Sequence, residues 1–293
     1  MFKIKKYIPD IVVAIILIAG IGLLAYPTIG DYINALHSSK AIGSYVEKTK
    51  DLSKEEKENL LREAREYNES LVGKVNRYYL NEEEKKRYAH ILDITKTGIM
   101  AYVEIPKLNI YMPVYHGTDE GVLQIAAGHL PGSSLPVGGE NTHSLISGHR
   151  GLPSAKLFTD IDKLKKGDLF FIHVFDEVLA YKVNQIKIVL PDDVETLEIE
   201  KGKDYVTLIT CTPYGVNSHR LLVRGERTVY KQSESKIEDM IKKNNLKYIM
   251  LTAGVILALI GMTVLVSVFL IKRRKNGLLI LLQATAQKWK VQL

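Results

Sequence analysis

The chain has 293 residues, of which 46% are hydrophobic and 25% charged, with a single Cys and a formal charge of +7. The apolar content excludes a wholly disordered polymer, and the lone Cys excludes a disulfide scaffold. The basic excess invites a nucleic-acid reading, but the first 30 residues carry +2, the last 46 carry +6, and the stretch between carries −1. A near-neutral centre with basic ends points to membrane topology and away from a nucleic-acid partner.

Residues 1–10 form a short basic N-terminus. Ile11 to Gly30 is uncharged, and its 20 residues would span roughly 30 Å as a helix, the thickness of a bilayer core. A cleavable signal peptide is the alternative, but no convincing small-residue cleavage site follows the run directly. Residues 31–97 read as a helical N-terminal extension. Ser53 with Glu56 fits a capping box, followed by Leu60, Leu61, Ala64, Tyr67 and Leu71 at helical spacing. Asn81 with Glu84 repeats the signal before Tyr88, Ile91 and Leu92.

From Gly98 the texture changes to short β-like runs broken by Gly, Pro and Asn. The expected strands are Ile99–Ile105, Asn109–Val114, Ser144–Ser147, Leu169–Phe175, Val178–Leu190, Tyr205–Thr210 and Arg220–Arg227, with Asp176-Glu177 as a tight hairpin turn. Seven or eight strands with few helices between them predict a mainly β domain over 98–230, a closed or nearly closed barrel. Residues 231–247 are a polar tether. Tyr248 to Ile271 is a second uncharged run, and Lys272-Arg273-Arg274-Lys275 opens a basic tail over 272–293. The positive-inside rule then places both termini in the cytoplasm, with the domain between the two spans on the outer face.

A free thiol outside the cell is exposed to oxidation, and nucleophilic catalysis is a reason to keep one. Cys211 follows the apolar run Val206 to Thr210, which puts it at a strand end beside a polar turn. A buried structural thiol is the alternative. A nucleophilic Cys needs a proton partner, since only the thiolate attacks. His149, flanked by Gly148 and Gly151, and His219, eight residues after Cys211, stand in suitable contexts. Arg220 opens the following strand, where its fork of donors could hold a carbonyl oxygen or a developing oxyanion; a salt bridge is the alternative.

Thr-Leu-Ile-Thr-Cys-Thr-Pro-Tyr-Gly over 207–215, followed by His219-Arg220-Leu221-Leu222-Val223-Arg224-Gly225, resembles the active-site region of the sortases. Gly-His-Leu-Pro-Gly-Ser-Ser at 128–134, Ser-Gly-His-Arg-Gly-Leu-Pro-Ser-Ala from Ser147, and Tyr102-Val103-Glu104-Ile105-Pro106 resemble the same family. The second apolar run and the helical extension are similar to class C, the pilus-assembling members. The resemblance implies a thiol transpeptidase with Cys211 as nucleophile, His149 as acid and base, and Arg220 on the substrate or oxyanion. The substrate it implies is an LPxTG-like sorting signal cut between Thr and Gly, and the acceptor a Lys amine of another pilin. It leaves His219, His129 and His143 without a catalytic role. No cofactor and no metal are expected. Class C members often carry an Asp-Pro-aromatic lid ahead of the barrel. Here the corresponding stretch is Tyr78-Tyr79-Leu80-Asn81, without Asp or Pro, so either Tyr78 or Tyr79 covers the site or the site is open. The competing functions are a sortase using a cell-wall precursor amine, a surface cysteine peptidase, and a non-enzymatic assembly scaffold.

Overall fold

The computed structural model describes residues 8–230 together with 250, 253, 254, 257 and 261. The expected tether and basic tail, and most of the expected second span, lie outside the described residues. Contacts divide the chain into two units, Tyr26–Gln232 and Met1–Ala25 with Ser233–Leu293. In the second of these the described segment is the opening of helix α1 (Ile8–Asp51), where Ile16 and Leu24 are 64% and 83% exposed. Among the described residues α1 alone is long and apolar enough to cross a membrane.

In the unit Tyr26–Gln232, α1 continues without a break to Asp51, well past the Gly30 at which the apolar run ends. The reason lies in Ile42, Tyr45, Val46 and Thr49, which repeat at helical spacing and turn one face to the barrel. The Tyr45 hydroxyl donates to Met100 O at 3.0 Å and accepts from Phe175 N at 3.0 Å, so one buried ring pins the helix to two chain segments. Helices α2 (Lys54–Leu71) and α3 (Glu82–His90) begin at Ser53 and Asn81, each with a reciprocal capping box. Such caps are worth about 1 kcal/mol each. Leu61, Ala64, Tyr67 and Leu71 form the buried face of α2.

Eight strands follow: β1 (Ile99–Ile105), β2 (Ile110–His116), β3 (Ala127–His129), β4 (Thr142–Ser147), β5 (Leu169–Val174), β6 (Glu177–Val189), β7 (Asp204–Thr212) and β8 (His219–Arg227). They close into a barrel in the order β1-β2-β3-β4-β7-β8-β6-β5, with β2–β3 and β4–β7 parallel and the other pairs antiparallel. Closure removes the exposed edges that an open sheet would leave. Val103, Ile146, Phe170, Ile172, Val206, Leu208 and Val223 belong to the core. The seven expected strands are present within one or two residues at most ends, and the β5–β6 turn is Phe175-Asp176, one residue earlier than expected. The added strand is β3, three residues with a central Gly and no β-branched side chain, which carry no strand pattern of their own. A short helix α4 (Glu120–Leu123) precedes it.

Candidate active site

Cys211 is the penultimate residue of β7 and lies opposite Arg220, the second residue of β8, in antiparallel register. Alternation along β7 turns Val206 and Leu208 into the barrel core, and Ile209 and Cys211 to the other face. The thiol is free and half-buried. Arg220 Nη1 donates to Asn217 O at 3.3 Å and His219 O at 3.2 Å, two carbonyls of its own turn. No ion pair among the described residues includes Arg220, so its remaining N–H groups stay available to a ligand.

His149 comes from the turn that follows β4, the strand on the other side of β7. Ser147, the last residue of β4, pairs with Ile209 in the parallel β4–β7 ladder, and His149 follows two residues beyond that end, as Cys211 follows Ile209 on β7. The turn that carries the ring is tied to β7: Gly148 N donates to Ile209 O at 3.0 Å, and Thr210 Oγ1 donates to Gly148 O at 2.8 Å. Beyond it, Phe158 N donates to His149 O at 3.1 Å. Gly148 is required here, because a Cβ would stand 2.7 Å from the Phe158 ring. Arg150 pairs with Asp162 and reaches Thr212 Oγ1 at 3.4 Å, a second link between the His149 turn and the residue after Cys211. His149 Nε2 lies 3.5 Å from Glu120 Oε2 on α4, a partner that no sequence signal marked.

The other histidines are built differently. His129 is fully buried against the Tyr88 hydroxyl and Ser134 O, and burial holds its basicity down to about 3. His143 sits between Glu198 O and Thr207 Oγ1, and burial lowers it to about 4. Both are neutral structural rings at ordinary pH. The His219 ring meets the hydroxyl of its neighbour Ser218 at 2.9 Å. Among the described residues, no group of three or more His, Cys, Asp or Glu could hold a metal ion.

On the Cys211 face an apolar strip runs along Leu145, Leu197, Ile209 and Leu222, and Tyr78 packs against it. The Tyr78 hydroxyl accepts from Arg77 Nη2 at 2.7 Å, and burial pushes the phenol above its usual range. Arg77, only 4% exposed, also donates to Leu197 O at 2.6 Å and stands 3.6 Å from the Glu198 carboxylate. This anchor joins the segment after α2 to the loop between β6 and β7. Gly132 lets the segment settle, since a Cβ there would lie 2.2 Å from Arg77 O. Tyr79 is 84% exposed and faces solvent. On the opposite face of β7 a cleft of about 620 Å³ opens beside Thr212, lined by Arg150, Ile186, Ile188, Tyr214 and Leu221.

A half-buried thiol, a guanidinium across the ladder and a histidine just past the end of the adjoining strand are the kinds of group that nucleophilic acyl chemistry uses. The family model for the Sortase domain matches residues 103–228. Among solved structures, sortase C1 of Streptococcus agalactiae is 49% identical with a TM-score of 0.64, covering 66% of this chain and 100% of that one. Sortase C of Streptococcus pneumoniae is 47% identical with a TM-score of 0.60, covering 66% and 99%. Among curated relatives, Sortase A of Bacillus anthracis is 31% identical over 133 residues, which is 45% of this chain and 61% of that protein. The chain thus spans about three-fifths of the length of the curated relatives it matches. With the barrel, the strand-end cysteine and these likenesses together, the chain belongs to the sortase family, and its structural neighbours are class C sortases.

Proposed function

We propose that this chain is a membrane-anchored cysteine transpeptidase that joins pilin subunits. The observation that carries the reading is the convergence of Cys211, Arg220 and the His149 turn on three hydrogen-bonded strands. The Cys211 thiolate attacks the Thr carbonyl carbon of an LPxTG-like signal. Arg220 stabilises the oxyanion, and the C–N bond to Gly breaks as His149 gives its proton to the leaving amine. The product is a thioester on Cys211. A Lys amine of a second pilin then attacks that thioester while His149 takes the amine proton. The isopeptide forms, and the thiolate returns.

The catalytic domain is residues 98–230 and the extension 31–97. The chain crosses the membrane twice, through 11–30 and 248–271, with both termini cytoplasmic. Class C neighbours, the apolar α1 and the basic ends support this arrangement. Tyr78 covers the apolar strip as a lid, a role supported by its packing against the cluster of Leu145, Leu197, Ile209 and Leu222.

The test offers the full chain a sorting-signal peptide with one of three acceptors: a Lys-bearing pilin domain, a cell-wall precursor amine, or water alone. Transfer to the pilin Lys supports the proposal. Transfer only to the precursor amine assigns an anchoring sortase, and hydrolysis alone assigns a peptidase.

A further inference from the structure

The mechanism above leaves one residue beside His149 without a task. Glu120 opens α4, directly after Asp119, whose carbonyl accepts from Val122 N and Leu123 N at 3.0 Å. Its two carboxylate oxygens are used separately. Oε1 accepts from Gln124 Nε2 at 2.5 Å, one helical turn further on, and Oε2 faces His149 Nε2 at 3.5 Å. The amide of Gln124 therefore aims the carboxylate, and the carboxylate meets the ring. A surface carboxylate free to turn in solvent would lose this orientation to rotamer entropy.

We propose that Glu120 is a positioning residue for His149. Its carboxylate takes the Nε2–H, orients the ring, and leaves Nδ1 as the nitrogen that exchanges the reacting proton. During acyl transfer Nδ1–H goes to the leaving Gly amine, and Nδ1 later takes a proton from the acceptor amine. Nε2 keeps its own proton throughout, held on Glu120. The same contact sets a fixed negative charge against the ring that carries the proton between the two amines. The direction of the Glu120 carboxyl agrees: it is held below its usual range, first by the Gln124 bond and also by His149.

The other charged and titratable groups around the ring are few. Cys211 and Arg220 approach from β7 and β8 by register. Arg150, on the same turn, is committed to Asp162. Among the described residues Glu120 is the carboxylate within ion-pair distance of His149.

The inference rests on the reading of His149 as acid and base, so its test uses a readout that needs no turnover. The full chain, labelled with ¹⁵N-histidine, is titrated with the His149 ring signal assigned by its loss in His149→Ala. In Glu120→Gln the ring titration moves to lower pH, and in Glu120→Lys it moves further in the same direction. Glu120→Asp retains part of the effect, and about 1 M salt shrinks the difference between wild type and Glu120→Gln. The His149 limb of the pH profile for sorting-peptide turnover moves in the same order, with KM unchanged. Thermal unfolding stays constant across the series, since the side chain is exposed. An identical ring titration in wild type, Glu120→Gln and Glu120→Lys overturns the inference and makes Glu120 a surface carboxylate. If the ring titration moves but no form of the chain transfers an acyl group, the transpeptidase reading fails while the Glu120–His149 pair stands.

Discussion

Cys211 and Arg220 are cross-strand neighbours, the penultimate residue of β7 facing the second residue of β8. Arg220→Lys keeps the charge but loses the planar fork and the two carbonyl anchors at Asn217 and His219. The expected outcome is a loss of roughly 10²–10³ in kcat for sorting-peptide transfer, the scale of removing an oxyanion donor. Stability should change by less than about 1 kcal/mol. Steady-state kinetics alongside thermal unfolding separates the two effects.

Tyr78 packs against the apolar strip of Leu145, Leu197, Ile209 and Leu222, and its neighbour Arg77 bonds both the Tyr78 hydroxyl and Leu197 O. Tyr78→Ala removes a half-buried ring and should cost about 1–2 kcal/mol of stability. If the ring is a lid, acylation of Cys211 by a sorting peptide rises roughly 5- to 30-fold, the same free energy read as a population shift. A fall in stability with no gain in acylation rate would make Tyr78 a core anchor only.

Gly148 carries the turn to His149 under the Phe158 ring. Gly148→Ala is expected to destabilise by about 1–3 kcal/mol through overpacking and to lower turnover by displacing His149. Phe158→Leu in the same chain should restore part of both. Measured unfolding midpoints and kcat for the single and double variants check the coupling.

His129 and His143 are buried neutral, held down to about 3 and about 4 from an ordinary 6.5. The unfolded chain therefore binds more protons below pH 6.5, and stability falls as pH drops from there toward 4. With both rings contributing, the slope approaches about 2.7 kcal/mol per pH unit in that window. His143→Gln removes one proton from the linkage and should roughly halve the slope, whatever it does to stability at neutral pH. Denaturant unfolding at a series of pH values reads the slope directly.

Features with a local cause could be read from the chain. The caps at Ser53 and Asn81 are three-residue motifs, and both open helices with the reciprocal bonds their spacing implies. Cys211 and Arg220 fall on consecutive strands joined by a short turn, so their pairing follows from the register of one hairpin. His149 is a different case. Its level beside Cys211 depends on a parallel β4–β7 pairing between segments about 60 residues apart, which no local pattern encodes. The same holds for Arg77 on Leu197 O and for Glu120 at His149, contacts 120 and 29 residues apart in the chain. Strand β3 was hidden because its pairing is imposed by its neighbours β2 and β4. The continuation of α1 past Gly30 was hidden because its apolar stripe is sparse among polar residues and is stabilised by packing on the barrel.

In the proposed reaction Cys211 forms a thioester with a sorting signal before any acceptor arrives. Intact-mass spectrometry of the full chain, mixed with an LPxTG-like peptide and quenched in acid, measures this directly. The expected result is a mass gain equal to the peptide up to its Thr, located at Cys211, discharged by a pilin Lys amine and missing in Cys211→Ala. Absence of the adduct in the wild-type chain, or its persistence in Cys211→Ala, would contradict it.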